Sequence, residues 1–259
     1  MTQTRGYQFD FAKILPAAMY DREAREKKAK TMLSVFRDYF KSDLKSFSLL
    51  DIGCSTGFIS NHLACYFGGV LGIDIDGPAI EFARKNFNKQ NLEFVKIDSQ
   101  QINLPENTFD VAICAHIYEH VPDAEMLMAE IYRVLKADGV CYFAAGNRLR
   151  VMEPHYHLPF LSVIPRPLAH AYLRLTRRGE YYYEKHLSYW ALKKLTHHFE
   201  RIDYTRPIIE QSDCFGAEYM LRPNSNRAKL AKFISKYAYW LCPTYIWMLR
   251  KPAVKNIGS

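Results

Sequence analysis

Leu49 to Ser60 reads LLDIGCSTGFIS, an apolar run that passes straight into a glycine-bearing turn and then into a second apolar, helix-like segment. A short apolar run bounded by glycine has the length of a buried strand, and the segment after the turn has helical spacing. In a strand-to-helix turn of this kind Gly53 and Gly57 let the backbone approach a ligand closely, and the helix N-terminus offers unpaired N–H groups. The pattern is G-C-S-T-G rather than the G-x-G-x-x-G that wraps a dinucleotide pyrophosphate, which makes a dehydrogenase the weaker reading.

Working outward, elements alternate. Strands are expected at Ser48 to Gly53, Val70 to Ile75, Leu92 to Asp98, Phe109 to His116 and Val140 to Asn147. Helices are expected at Thr56 to Tyr66, Pro78 to Asn88 and Ala124 to Lys136. Strands that alternate with helices imply an α/β fold whose parallel sheet is covered on both faces. Beyond Asn147 a segment rich in Pro, His, Tyr and Arg runs to about Lys185, too long for a routine connection and therefore expected to be functional. A helix at Ser188 to His198, a strand at Phe199 to Arg206, a helix at Arg227 to Leu241 and a last strand at Thr244 to Leu249 complete the chain. Before the sheet, Asp21 to Phe40 reads as a charged amphipathic helix able to cover the pocket.

Two further motifs fix the ligand class. GIDID places Asp74 at the end of the second strand, about 20 residues beyond the first turn, where a carboxylate accepts both ribose hydroxyls. LEFVKID ends on Asp98, where an adenine amino group would sit. Taken singly, Asp51, Asp74 and Asp98 are ordinary cap or turn residues. Three strand ends on one carboxyl edge line one crevice, and that implies a nucleoside.

With these motifs in view the chain resembles class I methyltransferases, most nearly the group that contains the ubiquinone- and menaquinone-biosynthesis enzymes. The resemblance covers about residues 45–147, through LLDIGCSTG, GIDID, VKIDSQ, FDVAICAHIYEHVPD and LKADGVCYF in the family's order. It implies a Rossmann-like seven-stranded sheet, mostly parallel with an antiparallel last strand, and S-adenosyl-L-methionine as cofactor with S-adenosyl-L-homocysteine as product. It also implies Asp51, Gly53 and Gly57 around the methionine part, Cys54 and Ser55 in the loop, and Asp74 on the ribose. Ile75 is expected against adenine, Asp98 with Ser99 at the base, and Ala115 beside the cofactor. Ser55 departs mildly from the family, which often has glycine there. The expected organisation is a helical cap over 1–45, the cofactor-binding core over 46–147, an inserted acceptor lobe over 148–187, and the rest of the sheet with a basic amphipathic helix over 188–259.

A sulfonium methyl is already electrophilic, so positioning is the main task; an acceptor that must lose a proton also needs a base, and histidine suits neutral pH. His116 and His120 of AHIYEH and His155 and His157 of EPHYH follow strand ends on the cofactor side. His155, His120 and His116 are the catalytic candidates, with His120 also read as a brace for the following helix. His116, Glu119 and His120 have metal-ligand chemistry, but adjacent Glu and His side chains diverge on a helix, and no metal is expected.

Charge separates the halves. Residues 1–147 carry 16 Lys and Arg against 19 Asp and Glu, whereas residues 148–259 carry 19 against 8, leaving −3 and +11. The basic half suits an anionic partner or a solvated surface. NRAKLAKFISKYAYWL puts Leu230, Phe233, Ile234, Tyr237 and Leu241 on one face and Lys229, Lys232 and Lys236 on another. Such a helix either packs its stripe on the sheet or meets the inner face of an anionic membrane, with a small-molecule or lipid-like acceptor. No N/D-P-P-Y/F motif comes after the fourth strand, so a nucleic-acid partner is not expected. The N-terminal MTQTRGYQFDFAK lacks the apolar core of a secretory signal, and the scattered Cys54, Cys65, Cys114, Cys141, Cys214 and Cys242 have no disulfide or metal spacing. A cytoplasmic location is expected. An oxidoreductase and a non-catalytic nucleoside-binding protein remain the competing readings.

Overall fold

Strands buried almost continuously along their length build the centre of the molecule, and the computed structural model describes residues 6–14 and 16–253. Five strands come first: β1 (Ser48–Ile52), β2 (Gly69–Asp74), β3 (Leu92–Lys96), β4 (Phe109–Ala115) and β5 (Leu135–Gly146). A small hairpin joins β6 (Met152–Glu153) to β7 (Leu158–Pro159), and β8 (Glu200–Asp203) and β9 (Thr244–Arg250) return to the main sheet. The main sheet has the order β3-β2-β1-β4-β5-β9-β8, with β9 antiparallel to both neighbours. It is the expected seven-stranded sheet with an antiparallel last strand.

The helices are α1 (Phe11–Ile14), α2 (Pro16–Met19), α3 (Arg22–Phe40), α4 (Phe58–Leu63), α5 (Gly77–Asn86), α6 (Ala124–Val134), α7 (Arg166–Leu175), α8 (Tyr189–Leu195), α9 (Thr205–Glu210) and α10 (Asn226–Tyr237). Side chains of period two divide the core between the sheet's faces. Leu50, Ile52, Ala112, Cys114, Cys141, Phe143 and Trp247 meet Leu127, Met128 and Ile131 of α6 and Leu192 of α8. Leu49, Val111, Ile113, Val140, Tyr142 and Met248 meet Met32, Leu33 and Phe36 of α3, Ile59 and Leu63 of α4, and Ile208 of α9. Asp21 caps α3 by accepting from the Ala24 N–H at 3.0 Å, and Asp76 caps α5 from Ala79 at 3.1 Å. The other oxygen of Asp76 accepts from the Ala12 N–H at 2.6 Å, which ties the N-terminal helices to the rim of the sheet.

Several boundaries differ from the sequence reading. The helix expected from Thr56 begins only at Phe58, because Gly57 takes φ 79° as its cap. The strand expected to reach Arg206 stops at Asp203 and turns into α9. The helix expected to reach Leu241 ends at Tyr237, since the Tyr239 hydroxyl is drawn inward to donate to Asp203 Oδ1 at 2.6 Å. The segment read as irregular from Asn147 to Lys185 contains the β6–β7 hairpin and α7, around a satellite core of Leu158, Leu161, Ala169, Leu173 and Tyr182.

That lobe is pinned to the sheet by few groups. The Tyr118 hydroxyl donates to Gly146 O at 2.6 Å and accepts from the Leu187 N–H at 3.1 Å; the Lys185 N–H donates to Glu119 O at 2.8 Å. Tyr118→Phe strips both bonds from a fully buried position and leaves an N–H without its partner, a cost of about 1–3 kcal/mol. The expected outcome is a lower denaturant midpoint together with faster hydrogen exchange at Leu187; unchanged exchange there would remove Tyr118 as the pin.

Candidate active site

Strand order reverses at β1, where β2 pairs on one side and β4 on the other, and the loops leaving β1 and β4 part around a crevice. A cavity of about 830 Å³ opens there, within the range of about 300–1,000 Å³ usual for small-molecule sites. From the strand ends come Gly53, Ser55, Asp74, Ile75, Asp98, Ser99, Ala115 and His116; the cap contributes Phe11, Met19, Arg25, Lys28 and Met32; the lobe contributes Arg150, Pro154, His155 and His157. Tyr219 and Met220, from the turn before α10, and Thr244 and Ile246 of β9 complete the wall.

The β1 turn is held in a conformation that suits a ligand. Gly53 has φ 72°, and a Cβ there would come within 2.2 Å of Ile117 Cδ1, so the turn and the loop after β4 touch only because the side chain is absent. Ser55 has φ 51°, a left-handed conformation held by its N–H donating to Asp74 Oδ2 at 2.7 Å. Asp74 Oδ1 accepts from the Asp76 N–H at 2.9 Å. Each oxygen keeps a lone pair for a further donor. Burial raises the Asp74 pKa, as it raises that of Asp51 to about 6, with the Ser60 hydroxyl at 2.6 Å and Arg25 opposing the shift at Asp51.

Of the residues expected around the cofactor, Gly53, Ser55, Asp74, Ile75, Asp98, Ser99 and Ala115 line the cavity, while Asp51, Cys54 and Gly57 stand behind its wall. Asp51 is bonded to Ser60 of α4, and Cys54 packs against Ile80, Ala83 and Phe94. Arg25 was not singled out by sequence. It continues the Ala29, Met32, Leu33 and Phe36 stripe one turn toward the N-terminus, and a cation in an apolar stripe was the signal available. Burial lowers its pKa against the opposing charges of Asp51 and Asp74.

At the other end of the cavity histidines and carboxylates converge. Glu153 is fully buried; Oε2 accepts from the backbone N–H groups of His155 and Tyr156, each at 2.8 Å, and Oε1 lies 2.7 Å from His155 Nδ1 and 3.4 Å from His186 Nε2. These partners outweigh burial and hold Glu153 well below the usual carboxylate range. For His155, burial favours the neutral ring, but the Glu153 hydrogen bond and the charges of Glu184, Glu153 and Glu119 prevail, and its pKa is raised. His120, whose ring meets that of His155 edge-on at 4.9 Å, is instead pushed down to about 4 by burial and by its histidine neighbours. Burial acts to raise Glu119, yet the bond with His116 at 3.4 Å and the surrounding histidines hold it at about 2.

The loop from His116 to Val121 is a turn rather than a helix, so the helical divergence expected of Glu119 and His120 does not apply, and both line the cavity. Among the described residues, His120 with His155 and Glu184, and Glu153 with His155 and His186, bring metal-ligand atoms within 4.8 Å of one another. Hydrogen bonds and ion pairs of 2.7–3.9 Å among these same groups account for their approach. Glu119 Oε2, Glu184 Oε2 and His186 Nδ1 are buried with no hydrogen-bond partner among the described residues, and of the three residues Glu119 lines the cavity. Sequence singled out neither Glu153, Glu184 nor His186.

Residues 50–143 match the family model described as a methyltransferase domain. Malonyl-[acyl-carrier protein] O-methyltransferase of Acetivibrio thermocellus is 29% identical over 137 residues, which is 52% of this chain and 48% of that protein. Ubiquinone biosynthesis O-methyltransferase of Pelagibacter ubique is 33% identical over 106 residues, 40% of this chain and 44% of that protein. The chain thus spans about half the length of the curated relatives it matches. The plantazolicin methyltransferase BpumL, solved with a desmethylPZN analog and SAH, shares the fold at a TM-score of 0.60 and 18% identity over 96% of this chain and 94% of that one.

The carboxylate of Asp74, the Asp98–Ser99 pair and the bare turn at Gly53 fit a nucleoside with an amino-acid tail. Asp74→Ala should weaken S-adenosylmethionine binding more than tenfold, since two hydrogen bonds to a charged group are worth about 1.5–3 kcal/mol or more. Calorimetry reads this directly; an unchanged affinity would take Asp74 out of the site.

Proposed function

We propose that this chain, whose core is a class I S-adenosylmethionine-dependent methyltransferase domain, transfers the methyl group to an oxygen of a small or amphiphilic acceptor, with His155 taking the acceptor's proton. The observation that carries this reading is the Glu153–His155 pair, in which His155 lines the cavity and Glu153 stands buried behind it. Glu153, ionised and fully buried, accepts from Nδ1–H, which leaves Nε2 as the ring's basic atom. A hydroxyl acceptor must lose its proton as the methyl group transfers, and a base within hydrogen-bond reach supplies that step.

S-adenosylmethionine supplies an electrophilic sulfonium methyl when bound. The chain's own residues bind, orient and exclude water. Asp74 takes the ribose hydroxyls, Asp98 with Ser99 meets the base, and Arg25 receives the carboxylate of the amino-acid part. Phe11, Met19 and Pro16 close over the cavity from the cap, tied down through Asp76 and Ala12. Tyr142, Ala144, Ile246, Tyr219 and Met220 supply an apolar wall beside the histidines, a combination suited to an acceptor with a greasy body and a polar reacting end. His120, kept neutral, and His116, at the rim, can hold the acceptor's polar end by hydrogen bonds. The curated relatives above are named as O-methyltransferases, which supports oxygen as the acceptor atom.

Screening extracted lipids and small phenols for transfer of a labelled methyl group tests the reaction. With an acceptor found, His155→Ala should lower kcat by about 10²–10⁴-fold with little change in cofactor affinity. Because the His155 pKa is raised, its neutral, proton-accepting form gains ground as pH rises, and kcat should climb along a limb whose midpoint lies above the ordinary histidine value of about 6.5. Glu153→Gln removes the raising charge and should move that limb to lower pH. A threefold or smaller loss in His155→Ala, or a limb that Glu153→Gln leaves in place, would reassign His155 to acceptor contact.

A further inference from the structure

Helix α10 is mounted with its large apolar side chains outward. Its buried positions are Ala228 and Ser235, and these small residues let the helix lie against the protein, with Ser235 O accepting from Arg206 Nε at 3.1 Å. Leu230, Phe233 and Tyr237 are 58, 60 and 65% exposed, a stripe at i, i+3 and i+7. Phe233 and Tyr237 touch at 5.0 Å between ring centroids. The stripe runs on into exposed Trp240 and Leu241, and Trp190 of α8, itself exposed, packs on Trp240 at 5.6 Å. Isolated exposed apolar residues need no explanation, but five within Leu230–Leu241, with Trp190 packed on one of them, do.

We infer that this face docks on an anionic lipid bilayer. Its charge points to that occupant: Lys229 and Lys236 flank the stripe on one side and Arg227 on the other, with Lys232 beyond. From Tyr219 to Ser259 the chain contains no Asp or Glu. No ion pair engages the cations of α10 among the described residues. An apolar stripe bordered by lysines on a helix lying flat is the geometry of interfacial binding, and tryptophan and tyrosine rings favour the headgroup level. No helix of the described residues is long and apolar enough to cross a membrane, so the contact is peripheral.

Its position also fits. Asn147, at the end of β5, donates to Trp240 O at 2.8 Å, and Thr244, which opens β9 and pairs with Gly146, lines the cavity. The Trp190–Trp240 end of the patch therefore lies at the same sheet edge as the cavity. Docking stands independently of the acceptor's identity.

The test uses the full chain with vesicles of phosphatidylcholine alone or with 30% phosphatidylglycerol. Sedimentation and the fluorescence of Trp190 and Trp240 report binding, and calorimetry with S-adenosylmethionine reports an intact core. Wild type should bind the anionic vesicles at least tenfold more tightly than neutral ones, with a blue shift, and should be released by 0.5 M salt, since the attraction is screened. Lys229→Glu/Lys232→Glu/Lys236→Glu and, separately, Leu230→Ser/Phe233→Ser/Tyr237→Ser should each lose at least tenfold while keeping cofactor affinity. Wild type that ignores anionic vesicles, or triple variants that bind as well as wild type, would overturn the inference. So would a wild-type dimer in sedimentation equilibrium that the serine variant dissolves without any vesicle binding, which would give the face to a second copy of the chain.

Discussion

Because β1 lies between β2 and β4, the chain leaving β1 and the chain leaving β4 go to opposite faces of the sheet. The first runs into α4, whose Ile59 and Leu63 pack with α3; the second runs into α6, whose Leu127 and Ile131 pack with α8. Backbone that diverges in this way cannot fill the space above the strand ends, and the cavity is what remains. The candidate active site is arranged around that gap. The cap closes it from one side, the lobe after β5 from another, and the carboxylates of Asp74, at the end of β2, and Asp98, just beyond β3, line it.

The lobe brings an electrostatic problem with it. Glu119, Glu153, Glu184, His120, His155 and His186 are taken largely out of water, and burying a charge is costly unless it is paired and hydrogen-bonded. Glu153 meets the requirement with two backbone N–H groups and two imidazoles. The consequence is an asymmetry between adjacent histidines. His155, bonded to a carboxylate, becomes more basic than a free histidine, and His120, pushed down by its burial and by the neighbouring histidines, stays neutral. Pairs of titratable groups pushed apart by their surroundings are characteristic of acid–base sites. The small side at Gly146 is part of the same arrangement, since a Cβ there would meet Arg150 at 2.9 Å and His186 at 3.3 Å.

Helix α10 shows how an amphipathic pattern leaves its own orientation open. The periodicity that marks a helix with one apolar face is identical whether that face meets the core or a foreign surface. Here Arg206 and the small residues Ala228 and Ser235 settle the matter by allowing close approach on the opposite side. Tyr239 then ends the helix by turning inward to Asp203, Thr205 and Trp247, and this carries the chain into β9.

The order of strands and helices, the antiparallel last strand implied by resemblance and the glycine turn at Gly53 were legible in the sequence, because period two, period 3.6 and a positive φ leave local marks. Asp74, Asp98 and Ser99 were legible for the same reason: each sits at the end of a strand that reads clearly. What the sequence could not say is which residues from distant segments meet. Glu153, Glu184 and His186 belong to a lobe with weak periodicity, and they reach His120 and Glu119 only through the pin made by Tyr118, Gly146 and Leu187. Arg25 enters the cavity only because α3 lies across the strand ends. Contacts of this kind depend on how elements are laid over one another, and that is decided by buried hydrogen bonds and close packing between segments far apart in the chain, which no local pattern records.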